Sequence, residues 1–301
     1  MISEVTYNII TLNRPEILAK ALFKLCEQGG GWTCLIFDSA EYSSEGDERV
    51  ASSLRALKAV GVRVQYIHEP GRVGIPMSYQ RSAELADTRY VIRQEDDMLP
   101  EVGFIERLVK VMKRFEGDRV LGVGFACPHY NNVTPRDMSI YMPNAVRPWT
   151  TDGKDVLEPY DGQQQWYRHP EIDRIIFSVP HVHAGFLYNR KQFLDLGGFW
   201  TECNCVGHRE ETYITMKHYF NGWSWLFCPA AVSVHYEFPS GGSRDDLPSR
   251  RQMQIENEER FQTDLRKWMA DHPERPIHVG GSNTYKEWAD RQAVKLVWRI
   301  E

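Results

Sequence analysis

YVIRQEDDMLP, residues 90–100, runs an apolar stretch into three consecutive carboxylates, Glu95, Asp96 and Asp97. On composition alone such a triplet reads as a solvated charge run. Its setting argues otherwise. VTYNIITL (5–12), TCLIFD (33–38), VRVQYI (62–67) and TRYVIRQ (88–94) read as four β-rich runs. Between them lie segments of helical period. Pro15 suits a first helical turn, and Ile17, Leu18, Ala21, Leu22 and Leu25 form an apolar face that stops at Gly29-Gly30-Gly31. Val50, Leu54 and Leu57 carry a second helix to Gly61, and a third covers 75–87. Alternation of this kind predicts a parallel sheet covered by helices. Ligands of open α/β sheets bind outside the carboxyl ends of the strands, where both the triplet and Asp38 fall.

In an extended chain, residues two apart point to the same side, so Glu95 and Asp97 converge while Asp96 points away. Convergent carboxylates suit Mg²⁺ or Mn²⁺, whose shell is completed by phosphate oxygens and water. The expectation is a metal-diphosphate site.

The second half is less regular. LGVGFAC (121–127) looks like a buried strand, and 128–180 reads as one long loop of the length that is usually functional or mobile. There follow AGFLYNR (184–190), a helix broken at Gly197-Gly198, a helical stretch over 209–220, and two strand-like segments, WSWLF and AVSVHY. From Ser240 the chain becomes charged. Phe261, Leu265, Trp268 and Met269 form a helical stripe, which predicts a tail helix packed back on the core.

The 301 residues carry a formal charge of −5, which supplies no global basic surface for nucleic acid. Mean hydropathy is −0.49. No run reaches the roughly 18 to 20 apolar residues of a membrane span. Six cysteines lack a framework spacing, and Glu4 stands where a secretory leader carries positive charge, so the expected compartment is cytoplasmic with reduced thiols.

TLNRPE (11–16), FDSAE (37–41) and YVIRQEDDMLP resemble the nucleotide-binding half of family 2 glycosyltransferases of the GT-A fold. The resemblance continues through LYNRKQFLDLGGF (187–199), HREETYITMKHYFNGWSW (208–225) and PAAVSVHY (229–236), in the family's order. It implies a Rossmann-like, mostly parallel sheet flanked by helices, with a C-terminal helical extension. Residues 1–100 would be the nucleotide-sugar half, 101–240 the acceptor half, and 241–301 the helical tail. Thr11, Asn13, Arg14, Asp38, Arg72, Glu95 and Asp96 would face a nucleoside-diphosphate sugar, most simply a UDP-sugar. Asp97, with Glu95 and His235, would hold Mn²⁺ or Mg²⁺. Glu210 and Glu211 match the family's "ED" pair, which makes Glu211 the base of an inverting transfer to an acceptor hydroxyl. The acceptor stays open among glycan, metabolite, protein side chain and modified nucleobase.

Four positions depart from the family pattern: Glu95 and Glu211 replace Asp, Arg93 interrupts an apolar strand, and Gln80 replaces Asn. These keep two rivals alive, a GT-A nucleotide- or glycan-binding protein without turnover and a related nucleotidyltransferase. The latter would normally carry a Gly-rich phosphate loop after the first strand, and TLNRPE has none. Lesser candidates are His181 and His183 as ligands or packed residues, a Cys203–Cys205–His208 zinc site, Trp149, Tyr160, Trp166 and Tyr167 as stacking platforms, and Arg72 and Arg81 against diphosphate.

Overall fold

The computed structural model describes residues 2–71, 73–128, 145–151, 154–159, 175–236, 242, 249–279 and 296–299. β1 (Val5–Thr11), β2 (Thr33–Asp38), β3 (Arg63–His68) and β4 (Tyr90–Glu95) run parallel in the order β3-β2-β1-β4. They are joined by α1 (Pro15–Leu25), α2 (Glu48–Ala59) and α3 (Ile75–Leu85). The period of two in TCLIFD divides these helices between two cores. Cys34 and Ile36 pack with Leu18, Leu22, Leu54 and Leu57 of α1 and α2, whereas Leu35 and Phe37 pack with Tyr79 and Ala83 of α3. Each such side chain fully removed from water contributes roughly 1.5–3 kcal/mol.

β5 (Met98–Pro100) and α4 (Phe104–Arg114) lead to β6 (Val120–Ala126). Sequence reasoning marked no helix over α4, although Phe104, Ile105, Leu108, Val109 and Met112 give it an apolar stripe that is buried. The expected loop over 128–180 contains three strands, β7 (Ala145–Thr151), β8 (Lys154–Pro159) and β9 (Ile175–Val179). β10 (Phe186–Asn189) runs into α5 (Arg190–Asp195), which is capped by the Asn189 side chain. Then come α6 (Glu210–Phe220) and β11 (Ser224–His235). WSWLF and AVSVHY form this one strand. Its register shifts between Cys228 and Val232, so Pro229 sits where no regular ladder is required.

The second half of the sheet is mixed. β10 pairs antiparallel with both β4 and β6, β11 lies parallel to β6, and β9 and the terminal β13 (Leu296–Arg299) close the edge. The tail is thus partly extended as well as helical. α7 (Arg250–Asp271) buries Phe261 and Leu265 in a cluster with Trp200, Tyr213 and Phe220, and β12 (His278–Val279) pairs with β7. No helix among the described residues is long and apolar enough to cross a membrane.

Candidate active site

β4 delivers Glu95 at its carboxyl end, and the chain turns at Asp96 and Asp97 into β5. β5 pairs antiparallel with β11 so that Met98 faces His235, and the Tyr236 amide donates to the Asp97 carbonyl at 2.7 Å. This register brings His235, remote in the chain, beside the acidic turn. The ligand atoms of Glu95, Asp97 and His235 lie within 4.8 Å of one another. Glu95 and Asp97 converge, although through the turn at Asp96 and Asp97 rather than through the period of an extended strand.

The third acid goes elsewhere. Asp96 is 2% exposed, and its oxygens accept from Thr11 Oγ1 at 2.7 Å and Arg14 Nη1 at 2.8 Å. Arg14 Nη2 donates to Asp97 Oδ2 at 2.7 Å, so one guanidinium fork spans both carboxylates. The chain bends before it at Asn13, whose left-handed φ of 55° an asparagine tolerates and whose side chain is exposed.

The remaining oxygen of Asp97 tests whether a divalent ion fits. Oδ1 is buried and accepts no well-aligned hydrogen bond, with His235 Nε2 3.4 Å away. A buried carboxylate oxygen left so carries a desolvation cost that a cation would relieve. Two carboxylates and an imidazole form a suitable donor set for Mn²⁺. Burial opposes the charge on Asp97, but His235 and Arg14 outweigh it and hold its pKa below the usual carboxylate range. For Asp96 burial prevails over Arg14 and pushes the carboxyl up to about 7.

A cleft opens beside the turn, lined by Thr11, Arg14, Ser39, Glu95, Asp96 and the start of α3. Asp38 is fully buried. Its carboxylate accepts from the Ala40 and Ser44 amides and from Tyr66 Oη, at 3.0, 2.7 and 2.6 Å, and so fastens the loop after β2. Ser39, one residue on, lines the cleft.

Gly74 caps α3 with φ 93° and ψ 149°, a region almost confined to glycine, and a Cβ there would lie 2.8 Å from Cys205 Cα. The close approach lets the 203–207 segment wall the cleft, with the Ile75 amide donating to the Cys205 carbonyl at 3.3 Å. Gly74→Ala is expected to cost about 1–3 kcal/mol, read as a lower midpoint in thermal denaturation followed by circular dichroism.

On the other side of Glu95 stands α6, whose first turn carries Glu210 and Glu211, 3% and 7% exposed. With Glu95 they bring three carboxylate oxygens within 4.8 Å of one another. Arg93, absent from the expected site residues, lies among them. It is 0% exposed, with Nη2 2.8 Å from Glu210 Oε1 and Nη1 3.8 Å from Glu211 Oε1. Burial and the charge of Glu211 drive Glu210 well above the carboxylate range despite Arg93. In Glu211 burial is outweighed by Arg93 and His183, with a hydrogen bond from Glu210, and the pKa falls to about 2. Of the pair, Glu210 is the one engaged directly by Arg93, whereas Glu211 is held less closely. A charged residue in an apolar strand must find partners, and that requirement was the signal for Arg93 in the sequence.

The other candidates separate. Arg81 pairs with Glu69, and Gln80 Oε1 accepts from the Phe199 amide at 2.8 Å. Cys203, Cys205 and His208 do not converge. His208 Nε2 bonds Glu258 at 2.9 Å and Cys205 Sγ lies 3.8 Å from Met253 Sδ, and among the described residues these three form no metal-ligand group. His181 is 2% exposed. Arg72, Tyr160, Trp166, Tyr167 and the Trp149 side chain lie outside the described residues.

Comparison with protein-family models matches residues 8–194, more than half of the chain, to "Glycosyl transferase family 2". The chain belongs to this family. Family 2 membership agrees with the likeness to solved structures. A mannosyltransferase from Pyrobaculum calidifontis in complex with GDP-Man and Mn²⁺ aligns with TM-score 0.51 at 16% identity, over 90% of this chain and 62% of that one. GalNAc-T7 with UDP, GalNAc and Mn²⁺ aligns with TM-score 0.60 at 12% identity, over 96% of this chain and 57% of that one. These likenesses identify the GT-A fold. The chain spans about three fifths of each neighbour's length. A search of curated protein sequences returns no match.

Proposed function

We propose that this family 2 protein is a divalent-metal-dependent, inverting glycosyltransferase that moves a sugar from a nucleoside-diphosphate donor, most simply a UDP-sugar, to an acceptor hydroxyl. The observation that carries the reading is the convergence of Glu95, Asp97 and His235 beside the cleft that Glu95 lines, with Glu210 and Glu211 on the other side of Glu95. The Mn²⁺ complexes of both structural neighbours support a divalent metal. An imidazole among the ligands favours Mn²⁺ over Mg²⁺, which prefers an all-oxygen shell.

Asp97, Glu95 and His235 would hold the ion, which when bound supplies Lewis-acid stabilisation of the departing diphosphate. Thr11 and Arg14 hold Asp96 and Asp97 in place, and Gly74, Ile75 and Ser78 at the start of α3 line the donor cleft. Glu211 accepts the proton of the acceptor hydroxyl as its oxygen attacks the anomeric carbon from the face opposite the diphosphate. Residues 1–100 would serve chiefly the donor and 101–240 chiefly the acceptor, with α7 of the 241–301 tail packed against them. All six cysteines are free thiols, which supports a reducing, cytoplasmic setting.

A thermal-shift panel of UDP, GDP, dTDP and CDP, each with and without Mn²⁺, tests the donor site. At about 100 times Kd the matching pair should raise the midpoint by on the order of 5 °C. Absence of a metal-dependent shift with all four nucleotides would remove the reading.

A further inference from the structure

The reaction just described gives Arg93 no part, yet among the described residues its side chain is the largest charged group sealed inside the protein. The two carboxylate groups around it share Glu95. In each, the ligand atoms lie within 4.8 Å of one another, so spacing alone fits a cation to the Glu95–Glu210–Glu211 group as well as to the Glu95–Asp97–His235 group. The difference between them is what already stands inside. Arg93 Nη2 is 2.8 Å from Glu210 Oε1 and 3.7 Å from Glu95 Oε1, and Nη1 is 3.8 Å from Glu211 Oε1. The guanidinium cannot swing away. Nη1 also donates to the Ala184 carbonyl at 2.5 Å, and the plane lies 4.2 Å from the centroid of the Tyr79 ring. Ala184 itself holds a left-handed φ of 66°, a costly conformation for a residue with a Cβ, in the turn where the Gly185 amide bonds back to the His183 carbonyl.

We propose that Arg93 is a positioning residue: a fixed internal cation that fills the Glu95–Glu210–Glu211 group, keeps the Glu211 carboxylate open to the acceptor, and confines the divalent ion to the Asp97–His235 side. The inference rests on the metal-dependent reading above. Its physical basis is charge and shape. An arginine stays protonated and presents planar donors to several oxygens at once, so it neutralises the group without covering every lone pair. A divalent ion in the same place would bind Glu211 directly and take the lone pair that must accept a proton.

Mn²⁺ titration followed by electron paramagnetic resonance of the free ion reads this without any turnover. Wild type should bind one ion per chain, and Asp97→Asn should lose it. Glu210→Gln should keep one ion per chain, because the ion does not visit that group. Arg93→Met should bind a second ion, and Arg93→Lys, which retains a charge, should bind one. Two ions in wild type, a folded Arg93→Met with wild-type stoichiometry, or loss of the ion in Glu210→Gln would each overturn the assignment. If Arg93→Met does not fold, wild-type stoichiometry and Glu210→Gln still decide. Failure of the functional reading looks different: Asp97→Asn then binds Mn²⁺ as wild type does, or wild type binds none, whatever Arg93→Met shows.

Discussion

Glu211→Gln should reduce acceptor-stimulated release of nucleoside diphosphate by about 10²–10⁴-fold, the usual contribution of a positioned general base, while the nucleotide-dependent thermal shift stays intact. The amide matches the carboxylate in size and cannot take a proton. Glu211 is the member of the pair to replace because Arg93 Nη2 engages Glu210 at 2.8 Å, whereas Nη1 stands 3.8 Å from Glu211 and leaves that carboxylate the more available. Transfer at wild-type rate in Glu211→Gln would take this side chain out of the chemistry. Loss of nucleotide binding together with transfer would point to a collapsed α6 start, where the buried Arg93 would lose one of its counter-charges.

The second large effect concerns the ion. Asp97→Asn is expected to weaken Mn²⁺ binding by more than about 100-fold, beyond what substitutions behind a ligand usually cause, and to abolish the metal-dependent part of the nucleotide shift. The variant removes the charge of Oδ1, which no well-aligned hydrogen bond satisfies, and the Oδ2 acceptor of Arg14. Comparison with Arg14→Lys separates the two losses. Lysine keeps the positive charge but not the fork that spans Asp96 and Asp97, so the shift should shrink while its dependence on metal persists. Equal metal dependence in Asp97→Asn and wild type would place the ion elsewhere.

The parallel half of the sheet was legible because its signals are local. TCLIFD alternates between two cores, glycines end the apolar stripes of α1 and α2, and the carboxylates sit at a strand end. The stripe of α4 also has a clear helical period, set by Phe104, Ile105, Leu108, Val109 and Met112. Other parts were not legible. The strands within 145–179 carry weak local patterns and are identified by pairing partners, β9 lying between β11 and β13. Pro229 suggested two segments where the ladder tolerates one strand with a shifted register. At the site, the order of motifs identified Glu95, Asp97, Glu210, Glu211 and His235 as neighbours. Asp38 illustrates the limit of that reasoning, since whether a strand-end carboxylate faces a ligand or fastens its own loop depends on amides and a tyrosine hydroxyl folded around it. The environment of Arg93 was hidden for a similar reason: its partners come from α6 and from the turn before β10.

The short ladder between β5 and β11 has a consequence for how the protein matures. His235 and Asp97 are joined through contacts of long sequence separation, the kind that form late because loop closure must be paid before they yield any gain. On the proposed metal site, a chain extended only through β4 and β5 would hold two of the three ligands and lack His235. Affinity for the ion would then be withheld until the distal strands have docked, and metal capture would mark completed folding.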